Sequence, residues 1–261
     1  MTEMNRAAKQ REPEERPWVA VWADSFSEGI DPDGAEAVVQ LLETAGYRVF
    51  VPRQACCGLT YITTGQLNRA RRNLRRLCEI LGPLAVNGIP IVGVEPSCTA
   101  TLRDDLERLL PDDSRATAIA QATRTLAELL TDPVYGPGGN CGPEPWDLPD
   151  LDGVEVVAQP HCHHYSVMGW SADRELLQRA GAQVTELSGC CGMAGNFGME
   201  AGHLAVSQRV AAHSLLPAFS EHPNAVFLAD GFSCRTQASQ LAGRNGVHLA
   251  RLLLGSAPAR F

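Results

Sequence analysis

The sequence predicts an α/β protein built from two pseudo-symmetric repeats, each a small parallel sheet flanked by helices. Strand-like apolar runs alternate with helical patterns, as expected of parallel sheets joined by right-handed crossovers. The order of elements occurs twice. Cys56-Cys57-Gly58 also returns as Cys190-Cys191-Gly192 at an offset of 134, and the lone cysteines that follow, Cys98 and Cys234, are 136 apart. Two agreeing offsets mark an internal duplication.

In the first repeat, residues 19–22 read as a buried strand leading to Asp24. Asp31-Pro32 offers an N-cap and a proline at the first helical position. The helix then runs through Val38, Val39, Leu41 and Leu42 to a stop at Gly46. Residues 47–51 form the next strand, ahead of Cys56-Cys57. An arginine-rich helix over 65–81 follows, then a buried strand over 89–94 that delivers Glu95-Pro96-Ser97-Cys98. Helices over 102–110 and 116–130 close the repeat.

The second repeat follows the same order. A strand over 154–158 leads to Gln159-Pro160-His161-Cys162, and a helix capped by Ser171 ends near Gly181. A strand over 184–187 leads to Cys190-Cys191, and a helix spans 204–216. A strand over 225–229 leads to Asp230-Gly231-Phe232-Ser233-Cys234, and the last helix covers 248–254. The chain divides into a disordered N-terminal tail (1–16), a first domain (17–134), a glycine- and proline-rich linker (135–153) and a second domain (154–261).

A length of 261 residues with 44% hydrophobic content supplies a sizeable core. The net charge of −8 and the lack of a basic stripe argue against nucleic acid. The one dense basic run, Arg69, Arg71, Arg72, Arg75 and Arg76, reads as a solvated helix face; a docking surface for an acidic redox partner is the sharper alternative. No apolar run reaches the roughly 18–20 residues of a membrane span, and the N-terminus lacks a signal core. The expectation is a cytoplasmic protein, or one peripheral to the inner face of the membrane. Nine cysteines in that compartment point to metal or redox chemistry rather than disulfides.

Thiolates are soft ligands for iron–sulfur clusters and zinc. Neighbouring side chains on extended backbone point opposite ways, so a cysteine pair more readily serves two irons or two metal positions than one tetrahedral ion. The glycine after each pair permits positive φ and close backbone approach. The second repeat offers Cys162, Cys190, Cys191 and Cys234. The first offers Cys56, Cys57 and Cys98, with the carboxylates of Asp24 and Glu95 as further candidate ligands; Asp24 stands where Cys162 stands in the second. All lie just past strand ends, where parallel sheets gather ligands. His161, His163, Arg244 and His248 are candidates for orienting the centre from the next layer out, against a plain packing role. Cys78, inside a helix, and Cys141, in the linker, read as incidental. Three chemistries stay open on the residues alone: a cluster for electron transfer, a zinc-stabilised interaction module, and a thiol–disulfide enzyme using a vicinal pair.

The run Cys190-Cys191-Gly192-Met193-Ala194-Gly195-Asn196-Phe197-Gly198 resembles the cysteine-rich CCG domain family, as do Glu95-Pro96-Ser97-Cys98, Phe232-Ser233-Cys234-Arg235 and Gly243-Arg244 with His248. The sequence is similar to the C-terminal iron–sulfur region of flavin-linked 2-hydroxy-acid oxidases such as those for D-lactate. It also resembles the iron–sulfur subunits of glycolate oxidase and anaerobic glycerol-3-phosphate dehydrogenase and, more distantly, the cysteine-rich subunit of heterodisulfide reductase. The resemblance implies an iron–sulfur subunit or domain passing electrons from a flavin to a quinone or other acceptor. Larger relatives also carry a flavin-binding domain, so the resemblance implies FAD on a partner oxidoreductase chain, or that this chain is a piece of a once longer one. In cluster-binding members each half carries a lone cysteine, a cysteine pair and a final Cys-x-x-Cys. Here Asp24 replaces the first repeat's lone cysteine, and Glu95 and Gly231 replace the first cysteine of each final pair. Four thiolates therefore stand in the second repeat, not the five of a non-cubane cluster.

Overall fold

The computed structural model describes residues 15–255. The expected tail over 1–16 lies outside the described residues except for its last two. Two four-stranded sheets are present, and every paired strand is parallel. The first has the order β2-β1-β3-β4, from β1 (Trp18–Trp22), β2 (Arg48–Phe50), β3 (Ile91–Gly93) and β4 (Thr123–Arg124). The second has the order β6-β5-β7-β8, from β5 (Glu155–Ala158), β6 (Gln183–Glu186), β7 (Val226–Leu228) and β8 (Gly246–Val247).

Register explains the cysteine offsets. Ala20 pairs with Phe50 and Ile91, and Val156 pairs with Val184 and Val226. Matched by the face they share, Val19 and Val156 pair with Val49 and Val184, an offset of 135, and Val21 and Ala158 pair with Val92 and Leu228, the same offset of 136 as Cys98 and Cys234. The duplicated motif is therefore duplicated geometry.

Both faces of the central strands are covered, as parallel sheets require. Val19 and Val21 enter one apolar cluster, while Ala20 and Trp22 enter another on the opposite face. β5 does the same, with Val156 and Ala158 on one side and Val157 on the other. The first of these clusters is common to both repeats: Val38, Leu41 and Leu129 pack in it with Leu177, Leu249 and Leu252. Helix Asp33–Thr44 packs on Leu249–Leu253, and Leu126–Thr131 packs on Ser171–Arg179. Each pair joins the repeats in mirrored roles, giving the molecule its pseudo-twofold.

Several expectations are corrected. The helix expected over 116–130 is broken. Ser114–Ala122 ends, Thr123–Arg124 becomes β4, and Leu126–Thr131 begins anew. Thr125 and Glu128 form a reciprocal capping box there, a start signal embedded in a continuous apolar pattern. The helix expected over 204–216 is two pieces, Leu204–Ala211 and Leu215–Glu221. Helix Phe232–Ala242 and β8 were not expected, because the helix buries mostly small and polar positions, Cys234, Gln237 and Ala238, and shows no apolar stripe. Neither Asp31 nor Ser171 caps its helix. Asp31 instead accepts from Arg235 Nη2 at 2.6 Å, across the two repeats. The arginine-rich helix extends over Leu67–Val86, burying Ala70, Leu74, Leu77, Cys78 and Leu81 while Arg69, Arg72, Arg75 and Arg76 are exposed. Among the described residues, no helix is long and apolar enough to cross a membrane.

Candidate metal centre

The second sheet delivers four cysteines to its carboxyl edge. Cys162 follows β5, Cys190 and Cys191 follow β6, and Cys234 lies in the first turn of helix Phe232–Ala242 after β7. Their thiols form a row. Cys190 meets Cys162 on one side and Cys191 on the other, and Cys191 meets Cys234. Hydrogen bonding from Cys162 and Cys191 and from the Gly192 N–H drives the Cys190 thiol far down, against the effect of burial. Its donors move the other way: Cys162 is pushed up by its bond to Cys190 and then by burial, and Cys191 by its bonds to Cys190 and Cys234 and then by burial. Cys191 and Cys234 are buried, Cys190 is half-buried and Cys162 is exposed.

The backbone is shaped around these sulfurs. Gly192 donates its N–H to Cys190 Sγ at 3.3 Å, and the Met193 N–H does the same for Cys191. This requires φ +94° at Gly192, where an added Cβ would sit 2.3 Å from the Ser207 carbonyl oxygen. The first repeat copies the device. Gly58, at φ +78°, donates to Cys56 Sγ at 3.3 Å, and the Leu59 N–H bonds Cys57. Cys57 Sγ and Cys98 Sγ are 3.4 Å apart. N–H···S bonds of this kind stabilise thiolates and tune the centres they hold.

Where the second repeat has Cys162, the first turns a carboxylate inward. Asp24 caps the following turn, accepting from the N–H groups of Phe26 (2.8 Å) and Ser27 (3.3 Å), from Ser27 Oγ (2.8 Å) and from the Glu95 N–H (3.2 Å). The hydroxyl of Ser25 bonds Cys56 in its stead, and Ser25 Oγ accepts from Gln54 Nε2 at 2.9 Å. Neither residue stood out in the sequence, although Ser25 directly follows the position of the missing cysteine.

Glu95 is also committed. Its Oε1 accepts from Ser97 Oγ at 3.0 Å, and its Oε2 accepts from the Phe232 N–H at 2.8 Å. It thus caps the helix of the other repeat that carries Cys234, where the local boundary residue, Gly231, has no side chain to offer. Burial pushes the Glu95 carboxyl up to about 7. An acid raised from 4.5 in the unfolded chain to about 7 in the folded one holds more protons when folded. Its contribution is therefore complete below about pH 4.5 and is lost as pH rises towards 7, on the order of 3 kcal/mol in all. Glu95→Gln keeps an acceptor for Phe232 and is expected to flatten this part of the stability curve. Urea unfolding of both proteins at about pH 5 and about pH 8 measures the difference.

The remaining candidates divide. His161 is buried beside the second thiol row, held well below its ordinary pKa at about 4 by burial and then by His163 and His164. A Cβ at Gly231 would lie 2.4 Å from His161 Cδ2, so the imidazole fills the space that a residue-231 side chain would need. His163 stacks on His161 with centroids 5.4 Å apart, and its N–H donates to His161 Nδ1 at 3.2 Å. His248 and Arg244 lie elsewhere. His248 Nδ1 caps the last helix through the Ala250 N–H (3.1 Å), and its ring lies against Gly34 of the first repeat, 3.6 Å from Asp230 Oδ1. Arg244 donates to the carbonyls of Pro223 and Ala225 and covers Phe219. Both serve packing rather than the sulfurs. Cys78 belongs to the core of the first repeat, and Cys141 is exposed.

The arrangement concentrates thiolate ligands without forming a tight tetrahedral cage. Zinc–sulfur bonds of about 2.3 Å put the sulfurs of a tetrathiolate site about 3.8 Å apart all round. Among the described residues, no three cysteine sulfurs lie within 4.8 Å of one another. The four sulfurs lie instead as a row of neighbours with separated ends.

Comparison with known proteins bears out the duplication. The profile of the CCG cysteine-rich domain matches residues 25–103 and again 156–237. D-2-hydroxyglutarate dehydrogenase of Escherichia coli K12 is 29% identical over 238 residues, covering 90% of this chain and 22% of that protein. One subunit of the anaerobic glycerol-3-phosphate dehydrogenase of the same organism is 27% identical over 258 residues, covering 95% of this chain and 61% of its own length. Lactate utilization protein A of Oceanobacillus iheyensis is 26% identical over 191 residues, covering 70% of this chain and 73% of that protein. The chain thus spans under a quarter of the hydroxyglutarate enzyme and about three-fifths of the glycerol-3-phosphate dehydrogenase component.

Proposed function

Because the chain belongs to the cysteine-rich CCG domain family, we propose that it is an iron–sulfur electron-transfer subunit or domain of a flavin-linked 2-hydroxy-acid oxidoreductase. The observation that carries this reading is the row Cys162, Cys190, Cys191 and Cys234, with backbone N–H groups aimed at its central sulfurs. Those four thiolates would hold the cluster, and a cluster so held supplies one-electron transfer. Cys56, Cys57 and Cys98 line a second, three-thiolate position, with Asp24 and Glu95 already spent on helix caps.

This chain's residues then divide the work. The N–H groups of Gly192 and Met193 point at the Cys190 and Cys191 sulfurs and would stabilise them as thiolate ligands to a bound cluster. Cys191 and Cys234 anchor the inner side away from water, and His161 closes the space beside Gly231. The exposed Cys162 side is the approach for the electron donor or acceptor. Exposed Tyr165, Val167, Phe197 and Met199 on the neighbouring segments give that approach an apolar character suited to a protein partner. The flavin belongs to a partner chain, and the terminal acceptor is a quinone or an equivalent carrier.

Protein purified or reconstituted anaerobically is expected to be brown, with sulfur-to-iron charge-transfer absorption, acid-labile sulfide and an EPR signal in one redox state. Colourless protein without iron or sulfide after reconstitution would overturn the proposal. One zinc per chain in its place, with loss of fold on chelation, would point to the zinc-stabilised module instead.

A further inference from the structure

A second cluster of ligand-type groups lies beside the thiol row and takes no part in it. His164 follows Cys162 by two residues, Asp173 sits in the first turn of helix Ser171–Arg179, and Asp230 follows β7, four residues before Cys234. One ligand atom from each of the three lies within 4.8 Å of both others. His164 Nε2 and Asp173 Oδ2 are 3.2 Å apart, and each residue is only 2% exposed. The two atoms meet as an ion pair shut off from solvent, and neither has a hydrogen-bond partner beyond that contact. Polar atoms so deeply buried usually make more than one such contact, and the capacity left over on this pair points towards Asp230.

We propose that His164, Asp173 and Asp230 form a divalent-cation site with nitrogen and oxygen ligands, separate from the thiolate centre, that pins the Cys162 segment to the end of β7. Metal–ligand bonds of about 2.0–2.2 Å place adjacent ligand atoms about 3–3.5 Å apart, and the His164–Asp173 spacing falls within that range. Charge is consistent with this. Asp173 faces the His164 imidazole and Asp230 lies 3.6 Å from His248 Nε2, so two carboxylates and two imidazoles share a largely desolvated setting, where unbalanced charge is costly. The Arg235 guanidinium, which reaches the Asp230 carbonyl, is engaged there and by Asp31 and the Ala229 carbonyl. Asp230 is itself aimed, since its Oδ1 accepts from the Leu249 N–H at 2.7 Å, the kind of supporting bond that orients metal-binding carboxylates. An imidazole with two carboxylates suits first-row divalent ions such as zinc, manganese or ferrous iron. Three chain segments separated by up to 66 residues would meet on one ion, two of them carrying cluster cysteines close by.

Manganese is the decisive probe because thiolates are poor ligands for it. The full chain, dialysed against EDTA, is titrated with Mn2+ while the EPR signal of the free ion is followed. One equivalent is expected to bind both to the wild type and to the Cys190→Ser variant. Affinity is expected to fall at least tenfold in Asp173→Asn and in His164→Gln. Far-UV circular dichroism identifies any variant that does not fold, and the other variant then decides. Wild-type protein that leaves all Mn2+ free shows a plain histidine–aspartate ion pair and overturns the proposal. So does binding that is undiminished in a folded Asp173→Asn or His164→Gln protein, or that disappears in Cys190→Ser.

Discussion

Cys191→Ser is expected to lower the iron bound after anaerobic reconstitution to a small remainder of the wild-type content, with sulfide and visible absorption falling in step. Cys191 is the inner link of the thiol row, buried between Cys190 and Cys234. Serine supplies a harder, less acidic ligand that is a poor substitute for thiolate. The Met193 N–H, now aimed at sulfur, would face an oxygen on a shorter bond and lose its geometry. Two comparisons make the result specific. Cys57→Ser, at the matching place in the three-thiolate row, should leave most of the iron in place. Cys78→Ser lies in the apolar core of the first repeat, so it should cost stability without touching the centre. Iron, sulfide and the absorption spectrum measured on these three variants check the assignment. Equal iron in Cys191→Ser and wild type would refute it.

The second large effect belongs to a glycine. Gly192→Ala forces a Cβ onto a backbone at φ +94° and to 2.3 Å from the Ser207 carbonyl oxygen, with Gln237 Nε2 at 3.1 Å. The Ser207 carbonyl is main chain in helix Leu204–Ala211 and cannot simply rotate aside. A strained conformation plus a backbone collision should cost about 3 kcal/mol or more. For a chain of this length that is a fall of about 6–12 °C in melting temperature. Gly195→Ala is the control. It also has positive φ, at +71°, but nothing lies within 4 Å of its added Cβ. Only the conformational penalty applies there, about 1 kcal/mol. Thermal unfolding of the two variants separates collision from conformational cost. A Gly192→Ala melting point equal to that of Gly195→Ala would show that the Leu204–Ala211 helix yields.

These effects indicate what could be read from the sequence. The apolar runs of β1, β3, β5 and β7 are continuous because those strands are covered on both faces, and such runs are hard to miss. The cysteine pairs were legible because repetition made them so, and register then turned a matched offset into matched geometry. What escaped notice lacked an apolar signal. Helix Phe232–Ala242 is held by its place beside β7 and by a cap donated from Glu95, 137 residues away. β4 and β8 are two residues each and exist only by pairing with a neighbour already in place. Asp24 and Glu95 offered the right chemistry for ligands, but only coordinates show that hydrogen bonds occupy them. His164, Asp173 and Asp230 come from three separate segments with no shared motif, so no spacing could have joined them. Arg244 and His248 followed the family pattern by position, yet their side chains serve the packing around β7 and the contact with Gly34.

The apolar slab shared by the two sheets has one more consequence. Domains joined by a small polar contact can swing, whereas a broad oily contact locks them. Here the residues that would open in a hinge are Leu41, Leu129, Leu177 and Leu252. The spacing between the two sulfur rows is therefore a fixed dimension of the molecule, and a partner docking on either meets a rigid surface.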